Sequence, residues 1–368
     1  MFSTQNTNLE KLYKIPQTLA DISVDIFGGI CTRRNFLHKM RFTGQKGENK
    51  TPYMCLGLCK PVEVEEKLVY PYVSGNASAK YVIPPANFHF LLPYKFSKGK
   101  ARVLSPSELK SDYPLTYKRV LEFKKEFNHN DAPLYSADYY SVQGRKLLEY
   151  LGTPKIIVNE YYGLQAAFDP TGQQIFEEGC GIVLKDPKKY NYVTAVLNSP
   201  LAKQLPALCR LEELYFSALA PEALRHFPIV FPENKETENL ISTLSGYLGL
   251  LQNQKYAEKA IFGTSSRYDE LTVFYKNLTD FLIMDTYLTN DLDPEFLEIL
   301  KTHIPSIEGF EGSSKSGYER EAEAIYIKGD KILNELRTVR QNILKAPDLE
   351  KCRFGGSFTN VLNGICVC

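Results

Sequence analysis

The chain has 368 residues, of which 43% are hydrophobic and 24% charged, and its formal net charge at pH 7 is +1. These proportions are typical of a globular protein with a sizeable core, and the length predicts two domains. No apolar run approaches the roughly 18–20 residues that span a membrane, and the polar first residues lack the apolar core of a signal peptide. We therefore expect a cytoplasmic protein, without a membrane partner, whose eight cysteines are reduced thiols.

Charge is distributed unevenly along the chain. Residues 1–155 carry 23 Lys and Arg against 14 Asp and Glu, whereas the remainder carries 21 against 29. A basic part next to an acidic part is a hint of nucleic-acid contact by the basic part. Uneven surface charge on a protein with no such partner explains the same counts.

Short strands dominate the predicted elements of the first half. Residues 8–30 predict a helix or loop and then a strand that turns at Gly28-Gly29, and the cationic residues 31–50 predict an exposed loop or hairpin. Short β-type runs follow at about ten-residue spacing, at residues 53–59, 67–71, 80–83 and 89–93. Ser105 caps a predicted helix that starts at Pro106, and residues 112–127 have helical periodicity.

The middle of the chain predicts a hairpin followed by a helix. The run of residues 155–158 is β-branched, the turn is Asp169-Pro170-Thr171-Gly172, and residues 181–184 form a second apolar strand. The helix that follows ends at Leu197-Asn198-Ser199-Pro200. Residues 227–232 have proline at both ends of a short apolar run, which favours an edge strand.

Beyond residue 234 the sequence predicts four helices, at residues 235–256, 266–289, 294–302 and 316–346. The Gly/Ser-rich residues 309–317 are the best candidate hinge. The change from strand-type to helix-type sequence near residue 234 predicts two domains, a strand-rich one at 1–234 and a helical one at 235–368. The predicted class is therefore α+β. The last helix carries an apolar stripe that is a candidate docking surface for a partner, although packing among the four helices is the favoured use of most of it: Ile325, Ile332, Leu336, Val339 and Ile343.

The order of these motifs resembles the TaqI-like C-terminal specificity domain of adenine-specific DNA methyltransferases in type II and type IIG restriction–modification systems. The resemblance covers roughly residues 65–232. It is carried by the hairpin above and by these motifs: Leu68-Val69-Tyr70-Pro71-Tyr72, Leu91-Leu92-Pro93-Tyr94, Tyr113-Pro114-Leu115-Thr116-Tyr117, Leu197-Asn198-Ser199-Pro200-Leu201 and Phe227-Pro228-Ile229-Val230. It implies a mixed-sheet target-recognition domain, followed by a helical docking domain, that reads double-stranded DNA while another module transfers the methyl group.

Catalytic motifs of this family are absent. Methyl transfer to an adenine amino group uses an Asn/Asp-Pro-Pro-Tyr/Phe loop, and Pro84-Pro85 has neither the polar nor the aromatic neighbour. We therefore expect no catalytic residues and no cofactor in this chain, with S-adenosylmethionine on a methyltransferase or restriction subunit. A degenerate but active methyltransferase and an adaptor that keeps the fold without binding DNA are the alternatives. Isolated histidines and unpaired cysteine motifs also predict no metal site.

Two groups of candidate site residues follow from the resemblance and from side-chain chemistry. Lys and Arg bind phosphates, whereas amide and tyrosine side chains on loops read base edges. The predicted phosphate contacts are Arg33, Arg34, Lys95, Lys98, Lys100, Arg102, Lys118, Arg119, Lys124 and Lys125. The candidate base-reading residues are Asn159, Tyr161, Tyr162 and Gln165. A solvated helix face and a turn-shaping role are the respective alternatives.

Overall fold

The structure is a computed structural model, and the part of the chain that it describes has several gaps. The described residues are 12, 14–30, 35–42, 51–55, 61–73, 80–84, 86, 88–97, 100–127, 140–142, 144–159, 164–204, 221–263, 266–306, 318–349 and 352. Within helices and strands, only the backbone is described at residues 35–36, 42, 51–55, 61, 123–127, 145, 203–204 and 318–328. The predicted hinge at 309–317 lies outside the described residues.

The first sheet has five strands in the order β1-β13-β10-β11-β6, and the two predicted hairpin strands pair in it as β10 and β13. The sequence prediction missed strand β11, which lies between them in the chain and pairs with β10. All pairs are antiparallel except β11 with β6. Every residue of β10 is buried, which fits its continuous apolar run and a sheet that is covered on both faces. The strands are β1 Ser23–Gly28, β6 Tyr81–Val82, β10 Lys155–Asn159, β11 Gln165–Asp169 and β13 Cys180–Leu184.

A buried ion pair fixes the predicted turn at residues 169–172, which follows strand β11. Asp169 accepts hydrogen bonds from the backbone N–H groups of Gly172, at 3.0 Å, and Gln174, at 3.0 Å. Its other partner is the buried Lys155 ammonium, 3.3 Å away, which also donates to the Gly172 carbonyl at 2.5 Å. Gly172 has a φ of +69°, and a Cβ there would lie 2.4 Å from the backbone N of Thr153. Only glycine fits this turn without distortion.

The second sheet contains the short strands of the N-terminal half, in the order β12-β5-β7-β2-β3-β4. Strand β12 pairs parallel with β5 and hydrogen-bonds to Ile30 after β1, so it links the two sheets. Two further strands, β8 and β9, form a separate ribbon. The strands are β2 Lys39–Phe42, β3 Thr51–Cys55, β4 Pro61–Val64, β5 Val69–Val73, β7 Phe88–Leu91, β8 Tyr94–Ser97, β9 Lys100–Val103 and β12 Ile175–Phe176.

Helices cover the outer faces of both sheets. Short ones at the N-terminal side are α1 Leu19–Ile22, α2 Asn35–His38, α3 Pro106–Asp112, α4 Pro114–Phe127 and α5 Arg145–Glu149. Those that follow the hairpin are α6 Tyr190–Asn198, α7 Pro221–Arg225, α8 Lys235–Phe262, α9 Asp269–Leu288, α10 Pro294–His303 and α11 Tyr318–Leu344. The mixed α+β class and the four predicted C-terminal helices are thus confirmed.

Three hydrophobic clusters place the elements in four layers. The first cluster joins one face of the first sheet to α6 and the C-terminal helices, through residues such as Ile182 and Leu278. The second fills the space between the two sheets, with Ile157 facing Phe90. The third lies between the second sheet and helices α3 and α4. The core is therefore continuous across the predicted boundary at residues 234 and 235.

Two further predictions can be compared with the structure: the apolar stripe on α11 and the edge strand at residues 227–232. The described part of the apolar stripe on α11 packs inside the chain, because Ile332, Leu336, Val339 and Ile343 are all buried in the first cluster. The predicted edge strand at residues 227–232 is wrong. This segment forms only an isolated bridge between Pro228 and Thr18, since its prolines lack the N–H that a ladder requires.

Candidate nucleic-acid interface

The β8–β9 ribbon carries the first group of predicted phosphate contacts. Its strands pair antiparallel, with Lys95 opposite Arg102. Side chains alternate along each strand, so Lys95, Lys100 and Arg102 are exposed on one face. The other face packs on the second hydrophobic cluster through Phe96, Ala101 and Val103. The fold therefore aligns three predicted cationic side chains on one surface, which we call the cationic ribbon face.

Arg102 on this face is held by a carboxylate. Its Nη2 donates to Glu108 Oε1 at 2.7 Å and its Nη1 donates to Glu108 Oε2 at 2.8 Å. Glu108 belongs to the capping box of α3, where it also accepts from the backbone N–H of Ser105 at 2.9 Å. The hydrogen bond from Arg102 holds the pKa of Glu108 well below its usual range and raises the pKa of Arg102, so both groups are charged at neutral pH.

Of the predicted phosphate contacts on helix α4, one is exposed and one is buried. Lys118 is exposed, but the next residue, Arg119, is only 2% exposed. Consecutive residues on a helix lie about 100° apart, so neighbours in sequence need not share a face. Arg119 therefore does not lie on the exposed surface where the sequence placed a phosphate contact. Of Lys124 and Lys125 only the backbone is described, in the last turn of the helix.

A carboxylate also fixes the start of α4. Glu65, which precedes strand β5, accepts from the backbone N–H groups of Leu115 and Thr116, both at 2.8 Å, and from the Thr116 hydroxyl at 2.6 Å. Unpaired N–H groups at a helix N-terminus favour such an anion. The helix that carries Lys118 is therefore anchored to the second sheet at a defined position.

The candidate base-reading residues are not on an exposed surface. Asn159 and Gln165 form the last cross-strand pair of β10 and β11, and they are only 8% and 5% exposed. Strand β10 continues one residue further than the β-branched run predicts, which takes Asn159 into the buried sheet. These two amides, which the sequence placed near DNA bases, are therefore buried in the first sheet, and their base-reading role stays a prediction. Tyr161 and Tyr162 lie outside the described residues, as do Arg33, Arg34 and Lys98.

Sequence reasoning missed the ribbon that brings the cations together. The signal was present as alternation in Tyr94-Lys95-Phe96-Ser97 and Lys100-Ala101-Arg102-Val103, which are separated by two residues in the sequence. It also missed Glu108, whose role depends on a contact with a neighbouring element.

Three other kinds of feature could support a function in the described part of the chain: metal sites, membrane-spanning helices and tyrosines with shifted pKa values. It contains no group of three or more His, Cys, Asp or Glu that could hold a metal ion. None of its helices has the length and apolar character needed to cross a membrane. Burial raises the pKa of several tyrosines, including Tyr192 and Tyr275, whose hydroxyls donate to backbone carbonyls inside the core. These hydrogen bonds satisfy the buried hydroxyls within the core.

Comparison with known proteins adds no assignment. No protein-family model matches the sequence, and no curated protein matches it.

Proposed function

We propose that this chain recognises duplex DNA sequence-specifically, as the target-recognition part of an adenine-N6 DNA methyltransferase or type IIG restriction–modification enzyme. The observation that supports this most is the cationic ribbon face. A two-stranded β-ribbon fits the major groove of B-DNA, and lysines beside it can bind phosphates. The excess of Lys and Arg in residues 1–155 also favours a polyanionic partner for this part of the chain.

Methyl transfer belongs, in this proposal, to a partner chain that binds S-adenosylmethionine. The reason is that the sequence has no Asn/Asp-Pro-Pro-Tyr/Phe loop and no Gly-rich cofactor loop after a strand. Transfer of a labelled methyl group to adenine by the purified chain alone would contradict this division of roles.

Salt-dependent binding tests the DNA contact. The double variant Lys95→Ala/Lys100→Ala should bind every duplex more weakly, because phosphate contacts release counterions without reading bases. The slope of log affinity against log salt should fall by up to about 2, roughly one unit for each lysine. Fluorescence anisotropy with labelled duplexes at about 50 and about 200 mM salt measures both effects.

A matched control separates this contact from a general effect of charge. Lys259→Ala/Lys331→Ala removes the same charge from exposed positions on helices α8 and α11. It should leave affinity and salt slope close to those of the wild type. If the two double variants behave alike, the cationic ribbon face does not bind DNA.

A further inference from the structure

The guanidinium of Arg102 has an unused edge. A guanidinium has five N–H donors in a planar fork. Glu108 takes one donor from each Nη atom, and the carbonyl of Val103 takes a second from Nη1 at 3.2 Å. Nε–H and the other Nη2–H remain, side by side and parallel. They have no hydrogen-bond partner among the residues that the structure describes, and the side chain is 55% exposed.

Glu108 also fixes the direction of this edge. Its Oε2 accepts from both the backbone N–H and the hydroxyl of Ser105, each at 2.9 Å, so the carboxylate is tied to the first turn of α3. Arg102 is bound to that carboxylate by two parallel hydrogen bonds. Such a fork restricts rotation of the guanidinium more than a single contact does. The free edge is therefore held relative to the cationic ribbon face.

The same pairing changes which ligands suit Arg102. Because Glu108 balances its positive charge, Arg102 gains less from a phosphate than an unpaired arginine does. Its two parallel donors keep their directions, however, and those match a pair of neighbouring acceptors. In the major groove, guanine presents such a pair in O6 and N7, and a bidentate arginine is the commonest specific contact to it.

We infer that Arg102 is a base-reading residue, which binds the O6 and N7 atoms of a guanine through its Nε–Nη2 edge while Glu108 acts as its positioning residue. This inference rests on the proposed binding of duplex DNA. It replaces the phosphate-binding role that the sequence gives to Arg102. Lys95, directly opposite on β8, and Lys100 keep the role of phosphate contacts beside it.

The test is selection of binding sites from a randomised duplex library by the full chain, compared with Arg102→Lys. Lysine keeps the positive charge but has no planar fork. The variant should bind non-specific duplex DNA within about twofold of the wild type. At one guanine position its discrimination against other bases should fall roughly tenfold, within the range expected of one bidentate contact. Arg337→Lys, at an exposed position on α11, is the matched control and should select the wild-type site.

Glu108→Gln tests the positioning role. The amide oxygen can still accept from Ser105, but the ion pair is lost, so discrimination at the same guanine should fall by less than in Arg102→Lys. Melting curves identify variants that lose the fold. If Glu108→Gln loses the fold, the comparison of Arg102→Lys with the wild type alone tests the inference. An unchanged site for Arg102→Lys, or equal weakening for all sequences, overturns the inference and leaves DNA binding intact. Absence of DNA binding by the wild type overturns both proposals.

Discussion

At the scale of single residues, His38 gives a pH dependence that the structure makes testable. It is 1% exposed, its Nδ1–H donates to the carbonyl of Leu91 at 2.7 Å, and its ring stacks on Phe90. Burial lowers the pKa of His38 to about 4, and the charge of Arg119 acts in the same direction. An unfolded histidine has a pKa of about 6.5, so between pH 6.5 and 4 the unfolded state binds more protons.

Stability should therefore fall as the pH drops through this window. From pH 7 to pH 5, His38 should lower the free energy of unfolding by about 2 kcal/mol. His38→Gln keeps an N–H donor for Leu91 but does not titrate, and its free energy of unfolding should fall less over the same interval. Urea unfolding of both proteins at pH 7 and pH 5 measures the difference, in which the carboxylates common to both cancel. Equal pH dependence in the two proteins would mean that His38 is not held neutral in the core.

Residue chemistry alone could indicate part of this site but not its geometry. The sequence indicated cations at Lys95, Lys100 and Lys118, and all three are exposed. It placed Arg119 with them because four cations lie close together in one helix. Which side of a helix faces the core depends on the element packed against it, here the second sheet, and a charge count carries no such information. The contact between Arg102 and Glu108 depends in the same way on how a strand meets the following helix.

At the scale of elements, the Asn198 side chain joins helix α6 to strand β11. Its amide imitates a neighbouring strand: Oδ1 accepts from the backbone N–H of Ala166 at 3.1 Å, and Nδ2 donates to the Ala166 carbonyl at 2.7 Å. Strand β6 pairs with β11 only at Ala167 and Phe168, so Asn198 continues the pairing where β6 ends. The Leu-Asn-Ser-Pro motif, which the sequence indicated as a helix end, thus also binds strand β11 of the first sheet.

Asn198→Ala should leave both backbone groups of Ala166 buried without partners. Each of the two groups costs about 1–3 kcal/mol, so we expect the free energy of unfolding to fall by roughly 2–6 kcal/mol. Asn334→Ala, at an exposed position of α11, is the control and should change it by less than about 0.5 kcal/mol. Chemical unfolding followed by circular dichroism measures both. A small effect at Asn198 would indicate that the helix end shifts or that water replaces the amide.

Elements with strong local signals were predictable, and those defined by distant partners were not. The C-terminal helices are long, periodic and capped, as at Asp293, whose carboxylate accepts from the backbone N–H of Glu295. Their observed bounds lie close to the predicted ones because these signals are local. Strand β12 has two residues and exists only because β5 and the segment after β1 lie beside it. No local pattern specifies such a strand.

At the scale of the whole molecule, the change from predicted strands to predicted helices at residue 234 indicated a domain boundary. The first hydrophobic cluster, however, contains residues from both sides of it. The sequence shows where strands give way to helices, but it cannot show whether the two regions bury surface against each other. Here α8 packs on α6, and Tyr287 of α9 donates its hydroxyl to the carbonyl of Pro228 across the junction, at 3.1 Å. The ion pair of Lys189 with Glu238, at 2.6 Å, crosses it as well. We therefore expect the first sheet and the C-terminal helices to unfold together.

Two core variants on opposite sides of residue 234 test this expectation in the full chain. Ile182→Ala in β13 and Leu278→Ala in α9 both remove fully buried side chains of the first hydrophobic cluster. Each should lower the free energy of unfolding by about 2–5 kcal/mol and shift one common transition, because both cavities lie in the same core. Val24→Ala, at a position that is 56% exposed, should shift it little. If each core variant instead moves only one of two separate transitions in urea, the two regions are independent folding units despite their shared core.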